Sequence, residues 1–199
     1  IVCRLVNYRK NKAVLKNIPH RRFLDLSIVY YYLMESSPFG SAGILVQDAH
    51  LSMWGVNQED LHNQALKNTR SLLPPKMTTL SQMLEELDEP PLPPSEGERA
   101  SMYILTNEDM CNGAVCICFR DILRSAGETI GSDFYVLPSS IHECLLLPIQ
   151  GWNANEPGRL QRIVSEINEN YVSDEEFLSD SIYRYSRDTG LLGIAALEI

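Results

Sequence analysis

The sequence predicts an α+β fold in which successive strand–strand–helix units (ββα units) form antiparallel or mixed sheets covered by helices. Pairs of short apolar, β-branched or aromatic segments occur three times along the 199 residues, and each pair precedes a segment with apolar residues at helical spacing. A proline-rich stretch interrupts this series near the middle of the chain. We therefore expect an N-terminal lobe over 1–87, a linker over 88–99 and a C-terminal lobe over 100–199.

The N-terminal lobe is predicted to begin with a strand and to hold the first unit. Ile1–Asn7 is predicted to be a strand and Lys12–Lys16 a short helix. Three tyrosines together with Ile and Val favour a strand over Leu24–Met34, and Gly43–Gln47 is predicted to pair with it as a β-hairpin. The amphipathic segment Asn57–Thr69, with an Asn cap and acidic residues in its first turn, completes the unit as a helix.

A helix and the proline-rich stretch follow the first unit. Thr79–Leu87 begins with the capping-box pattern Thr79-x-x-Gln82, which predicts a helix start. Asp88–Glu98 then carries four prolines within five positions, which favour polyproline II and exclude a helix or a central strand. A PxxP ligand for a partner domain is one interpretation of this stretch, and a linker between lobes is the favoured one.

Two further units are predicted in the C-terminal lobe. The second has strands at Met102–Thr106 and Ala114–Phe119 and a helix at Asp121–Ile130. The third has strands at Phe134–Leu137 and Glu143–Ile149. Its helix is predicted from apolar residues at positions i, i+3, i+4 and i+7, namely Leu160, Ile163, Val164 and Ile167.

The C-terminal tail has weaker patterns. Ser173-x-x-Glu176 is a second capping-box pattern, and Ile182–Tyr185 is predicted to be an edge strand. Leu191–Ile199 is apolar but has no cap, which favours either disorder or packing elsewhere.

The strongest candidate for a catalytic site is the polar insert between the two strands of the third unit. It brings together nucleophile-type, base-type and acid-type side chains: Ser139, Ser140, His142 and Glu143. A hydrolase would use Ser139 or Ser140 as a nucleophile activated by His142.

The geometry of a strand argues against the neighbouring pair in that insert. His142 and Glu143 would point to opposite faces, whereas His142 and Cys144 would share a face, which also suits a Cys-His dyad. No G-x-S-x-G pattern accompanies the serines. The favoured alternative is a turn in which the serine hydroxyls bond local backbone.

Asp48 and His50 are weaker, ligand-binding candidates. Their spacing after a predicted strand parallels that of Ser140 and His142, so the two pairs would face one cleft if the lobes were pseudo-symmetric. The favoured interpretation of Asp48 and His50 is two unrelated turn residues. The four histidines form no H-x-x-x-H or H-x-H pattern, and Cys116-x-Cys118 differs from the C-x-x-C of zinc knuckles, so we predict no metal and no cofactor.

Charge and cysteine usage limit the partners and the compartment. A formal net charge of −9 disfavours nucleic acid, and the apolar runs are too short to span a bilayer. Five cysteines without a C-x-x-C pair or a secretory leader predict a reduced, cytoplasmic setting. The chain begins at Ile1, inside a predicted strand, from which we expect that a native N-terminal part is missing.

Several segments together resemble a family of uncharacterised bacterial cytoplasmic proteins. They are LVNYRKNKAVLKNIP, FLDLSIVYYYL, HLSMWGV, EDLHNQALKNT, MYILTN, NGAV and SDFYVLPSSIHE, in this order. The resemblance covers about Leu5 to Arg187, and LPSSIHE is its most specific part. It implies longer N-termini and a domain of unknown function, without a reaction, ligand or catalytic residue.

Three hypotheses on function follow from the sequence. The favoured one is a non-catalytic cytoplasmic binding or interaction module, because no spaced catalytic or metal motif is present. The alternative is a hydrolase-like enzyme using Ser139 or Ser140 with His142. The third is a homo-oligomer, or a complex with a protein partner, formed through an exposed edge at Ile182–Tyr185.

Overall fold

A computed structural model of the chain describes residues 1–33, 43–86, 102–138, 140–149 and 156–195. These residues form two antiparallel sheets and five α-helices, which confirms the α+β class. The predicted linker at 88–99 lies outside the described residues, so the division into lobes stays a prediction.

The smaller sheet is built around one long central strand. Its four strands are β1 (Val2–Asn7), β2 (His20–Phe23), β3 (Leu26–Leu33) and β4 (Gly43–Leu45). β1 lies along one side of β3, while β2 and β4 pair with successive halves of its other side. The predicted β3–β4 hairpin is confirmed. β2 was not predicted, because its sequence, HRRF, has only one apolar residue.

The larger sheet has six strands in the order β10-β9-β7-β8-β6-β5. The strands are β5 (Pro75–Thr79), β6 (Tyr103–Asn107), β7 (Phe134–Leu137), β8 (Cys144–Pro148), β9 (Tyr183–Ser186) and β10 (Leu191–Ile194). β5 precedes the proline-rich stretch, yet it pairs with β6 from Pro75↔Asn107 to Thr79↔Tyr103. The part of the chain before that stretch therefore contributes to both sheets.

The helices follow their capping and periodicity patterns. They are α1 (Asp48–Trp54), α2 (Gln58–Leu72), α3 (Leu80–Glu86), α4 (Arg120–Ile130) and α5 (Glu156–Tyr171). All except α1 were predicted, and the predicted Lys12–Lys16 helix is a short 3-10 helix at Val14–Asn17. No helix within the described ranges has the length and apolar character required to cross a bilayer.

The predicted strand at Ala114–Phe119 is wrong, because Gly113–Cys118 forms a 3-10 helix. Residues Gly113–Ile117 are all buried, and an apolar run buried on every side has no periodicity that separates a strand from a helix. β6 pairs directly with β8, which leaves no strand position for this segment. The second ββα unit is therefore not formed.

The tail also differs from its prediction. Ile182–Tyr185 was expected to be an edge strand, but β9 lies between β7 and β10. The edge strand on this side of the larger sheet is β10, which pairs with β9 after a turn at Gly190, whose φ is +66°. The edge on which the homo-oligomer hypothesis rested is thus already paired on both sides.

One buried apolar cluster joins the two sheets. Tyr30 and Leu5 of the smaller sheet belong to the same cluster as Leu105, Phe134 and Leu146 of the larger one. A second cluster fills the space between α5 and the opposite face of the larger sheet. The larger sheet is thus covered on both faces.

Candidate functional site

The Ser140–Glu143 turn connects β7 to β8 and is closed by its own side chains. The Ser140 hydroxyl donates to Glu143 Oε1 at 2.8 Å and accepts the His142 backbone N–H at 3.0 Å. Ser139 lies outside the described residues. Both hydrogen-bonding roles of Ser140 are therefore used within the turn, as the turn interpretation of this segment predicts.

The His142 ring is held by two groups from elsewhere in the chain. Its Nδ1 accepts the backbone N–H of Asn112 at 3.3 Å, and its Nε2 lies 3.5 Å from Glu176 Oε1. An acceptor at Nδ1 places the proton of the neutral ring on Nε2, directed at the carboxylate. The sequence indicated Glu176 only as part of a capping-box pattern. Its position beside His142 results from the tertiary fold.

Asp48 and His50 lie on α1, so their assignment to a turn is wrong. His50 Nδ1 accepts the backbone N–H of Gln47 at 3.1 Å, and its ring packs against Trp54 with 5.4 Å between centroids. Asp48 is exposed in the first turn of the helix. Within the described part of the chain, neither residue forms a hydrogen bond or ion pair with the Ser140–Glu143 turn.

The turn supports a second loop, which runs from Asn107 to Gly113 and is here called the 107–113 loop. Thr106 Oγ1 donates to the His142 carbonyl at 2.8 Å. A Cβ at Gly113 would lie 2.6 Å from that carbonyl oxygen and 2.6 Å from the backbone nitrogen of Asn107, so only glycine fits this close approach. The two loops are therefore interlocked.

The backbone of the 107–113 loop is in an uncommon conformation. Met110 and Asn112 have φ of +50° and +56°, in the left-handed region that non-glycine residues seldom adopt. Asn107 stabilises the loop by donating to the Cys111 carbonyl at 2.8 Å and accepting the Cys111 N–H at 3.2 Å. Strained backbone that the surrounding structure holds in place is common at binding sites.

The 107–113 loop and the smaller sheet enclose a cavity of about 80 Å³, here called the Arg4 pocket. Polar groups from both sides line it: Arg4, Asp109, Cys111 and Asn112. Apolar side chains, including Val2, Tyr31 and Leu73, form much of the remaining wall. The cavity therefore combines a few convergent polar groups with an apolar wall.

Two polar atoms at this pocket have no hydrogen-bond partner among the described residues. They are Arg4 Nε and Asn112 Oδ1, and both are buried. The Arg4 guanidinium lies 5.1 Å from the centre of the Tyr31 ring and forms no ion pair with any described residue. Each such atom costs roughly 1–3 kcal/mol when its hydrogen bond is not made.

The Cys111 thiol at this pocket is in its neutral form at pH 7. Burial raises its pKa, the nearby Arg4 lowers it, and Asp109 raises it again. The Asn112 amide nitrogen donates to Cys111 Sγ at 3.3 Å. A thiol with a raised pKa is a poor nucleophile.

The remaining cysteines have the properties of small apolar side chains. Burial raises the pKa of Cys116 to about 12 and that of Cys3 to about 11. Across the described ranges all five cysteines are free thiols, and no group of three or more acidic, His or Cys side chains is arranged to hold a metal ion.

Sequence reasoning missed the Arg4 pocket, although one pattern pointed to it. Arg4 lies in the middle of a mostly apolar strand, VCRLVN, in which four of the six residues are apolar and buried. A cation at such a position requires a compensating group. Asp109 and Asn112, more than 100 residues away, give no pattern that would connect them to it.

Comparison with known proteins gives a family without an assigned activity. A family model described as a family of unknown function, DUF5688, matches residues 1–187. This confirms that the chain resembles a family of unknown function, as its segments indicated. No curated protein and no solved structure matches the chain.

Proposed function

The chain belongs to this family of unknown function, and we propose that it is a non-catalytic cytoplasmic binding module whose ligand site is the Arg4 pocket. The ligand presents an acidic group to Arg4. The observation that carries this proposal is the Arg4 guanidinium, which lines a small cavity without a hydrogen-bond partner among the described residues.

The chemistry of the side chain selects the ligand class. A guanidinium is planar, stays charged at every physiological pH and matches a carboxylate through two parallel hydrogen bonds. Since the chain carries a formal net charge of −9, a local cation is needed to attract an anion to this surface. Tyr31 covers part of the guanidinium, which restricts the directions from which a ligand can approach.

The geometry of the neighbouring turn supports the non-catalytic part of the proposal. The Ser140 hydroxyl is directed at Glu143, and the lone pair of His142 Nδ1 already accepts the Asn112 N–H. Neither group is free to activate a substrate in this arrangement. The His142 ring instead holds the loop that forms the pocket wall, and the Ser140 hydroxyl closes the turn that carries His142.

A hydrolase using Ser139 or Ser140 with His142 is the second candidate. The His142–Glu176 pair favours it, because a histidine oriented by a carboxylate supplies two of the three members of a catalytic triad. Ester turnover that is lost in a folded His142→Gln variant would establish this function. The binding module predicts no turnover, and a lowered melting temperature for the same variant.

The proposal is tested by titrating the ¹⁵N-labelled protein with acetate and following NMR shifts. We expect the Asn112 amide and the Arg4 side-chain Nε–Hε signals to move together. Arg4→Gln should weaken acetate binding by about tenfold or more, because the charged partner of the carboxylate is lost.

Arg22→Gln is the matched control for this experiment. Arg22, in β2 of the smaller sheet, also packs over a tyrosine ring, 3.5 Å from the centre of Tyr8, but it does not line the pocket. Acetate binding that survives Arg4→Gln unchanged, or that disappears equally in Arg22→Gln, would contradict the proposal.

A further inference from the structure

The Arg4 pocket carries a negative charge as well as a positive one. Asp109 lines it together with Arg4, yet within the described residues these two side chains do not form an ion pair. Asp109 also forms no hydrogen bond with another described side chain. Opposite charges that share a small cavity without pairing leave each available to a ligand group of the opposite sign.

Arg4 and Asp109 define the chemistry of the pocket. The pocket offers hydrogen-bond donors at Arg4 and an acceptor carboxylate at Asp109. A ligand that matches both must carry an acceptor anion and a donor cation.

The charge pattern disfavours ligands that carry only negative charge. Asp109 would repel a phosphate or a second carboxylate. An ammonium group instead carries the charge and the N–H donors that pair with the Asp109 carboxylate.

The size of the pocket limits the ligand further. A cavity of about 80 Å³ has room for roughly five to eight water-sized atoms. The smallest α-amino acids fall in this range. Val2 and Leu73, both buried, provide an apolar wall for a short aliphatic side chain.

We infer that the Arg4 pocket selects a small zwitterion, a free α-amino acid with a short apolar side chain. Its carboxylate binds Arg4 and its ammonium group binds Asp109. This inference rests on the proposed function, since it names the ligand class of the same site.

Three matched probes test the inference by NMR titration of the labelled protein. Alanine carries both charged groups, propionate lacks the ammonium group, and ethylamine lacks the carboxylate. We expect alanine to bind about tenfold more tightly than propionate, because it gains a charge-assisted hydrogen bond. Ethylamine should not bind measurably.

Asp109→Asn should lower the affinity for alanine to that for propionate and leave propionate binding unchanged or stronger. Glu108→Gln is the matched control, because Glu108 is the exposed neighbouring acid and does not line the pocket. It should leave both affinities unchanged. Both acids are exposed, so neither variant is expected to disturb folding.

The outcomes separate this inference from the proposed function. If propionate binds as tightly as alanine and still depends on Arg4, the zwitterion inference is overturned and the anion-binding function stands. If neither alanine nor propionate binds, both fail together. An alanine preference that persists in Asp109→Asn also overturns the assigned role of Asp109.

Discussion

His62 and Tyr30 form a buried polar pair where α2 packs against the smaller sheet. The Tyr30 hydroxyl is 2.9 Å from His62 Nδ1, and His62 is only 8% exposed. Burial, and to a lesser degree Arg21, lowers the pKa of His62. The histidine is therefore neutral at pH 7, with Tyr30 as the donor and Nδ1 as the acceptor.

This pair predicts a loss of stability in mild acid. Because the pKa of His62 is lower in the folded state than its usual value of about 6.5, the unfolded chain binds the proton first as the pH falls. The free energy of unfolding should thus decrease from pH 7 to pH 5, and His62→Gln should show a weaker decrease.

Urea unfolding at pH 7, 6 and 5 measures this effect. His50→Gln, on the surface helix α1, is the control and should follow the parent protein. A His62→Gln variant with the same pH dependence as the parent would show that this histidine does not cause the acid destabilisation.

At the scale of residues, the sequence indicated a turn beside the Arg4 pocket but none of the residues that line it. Ser140, His142 and Glu143 stood out because polar groups there interrupt apolar strands, and of these three His142 bonds the Asn112 N–H of the 107–113 loop. The polar residues that line the pocket are far apart in the sequence: Arg4 lies near the start of the chain, and Asp109, Cys111 and Asn112 follow more than 100 residues later. Whether a buried atom lacks a partner is a property of tertiary packing, which no local pattern encodes.

At the scale of elements, those with a cap or a clear period were predictable. α2, α4 and α5 have apolar residues at helical spacing, α2 also has an Asn cap, and the β7–β8 hairpin has apolar strands around a polar insert. The Gly113–Cys118 segment was mistaken for a strand because it is apolar on all sides. β2 and β5 were missed because pairing with a neighbour, rather than their own residues, makes them strands.

The cap of α2 provides a quantitative prediction. Asn57 has extended backbone angles, and its side-chain oxygen accepts the Asp60 N–H at 2.9 Å. Asn57→Ala leaves that N–H without its partner and should lower the free energy of unfolding by about 1 kcal/mol. Asn57→Asp should restore most of the loss. Urea unfolding at pH 7 is the measurement.

The matched control is Asn63→Ala, which removes an exposed asparagine from the interior of the same helix. Alanine favours a helix more than asparagine does, so this variant should be neutral or slightly stabilised. Equal losses in the two variants would mean that capping does not determine the stability of α2.

At the scale of the whole molecule, a carboxylate ties the two sheets together. Asp25, in the turn between β2 and β3, accepts hydrogen bonds from Ser179 Oγ at 2.6 Å, from Ser181 Oγ at 3.0 Å and from the Tyr183 hydroxyl. Asn7 adds a bond from its amide nitrogen to the Leu178 carbonyl at 2.8 Å. The turn of the smaller sheet is therefore fixed to the segment that leads into β9.

Asp25→Ala should destabilise both sheets at once. Three hydroxyls lose a charged acceptor, and since Asp25 is only half-buried we expect a loss of about 3 kcal/mol in the free energy of unfolding. Because the sheets share one core, hydrogen exchange in β3 and β7 should lose protection at the same, lower urea concentration. Asp48→Ala, which removes an exposed carboxylate on α1, should leave the free energy of unfolding and the hydrogen-exchange protection unchanged. Faster exchange confined to the smaller sheet would show that the two sheets unfold independently, and that Asp25 stabilises only its own turn.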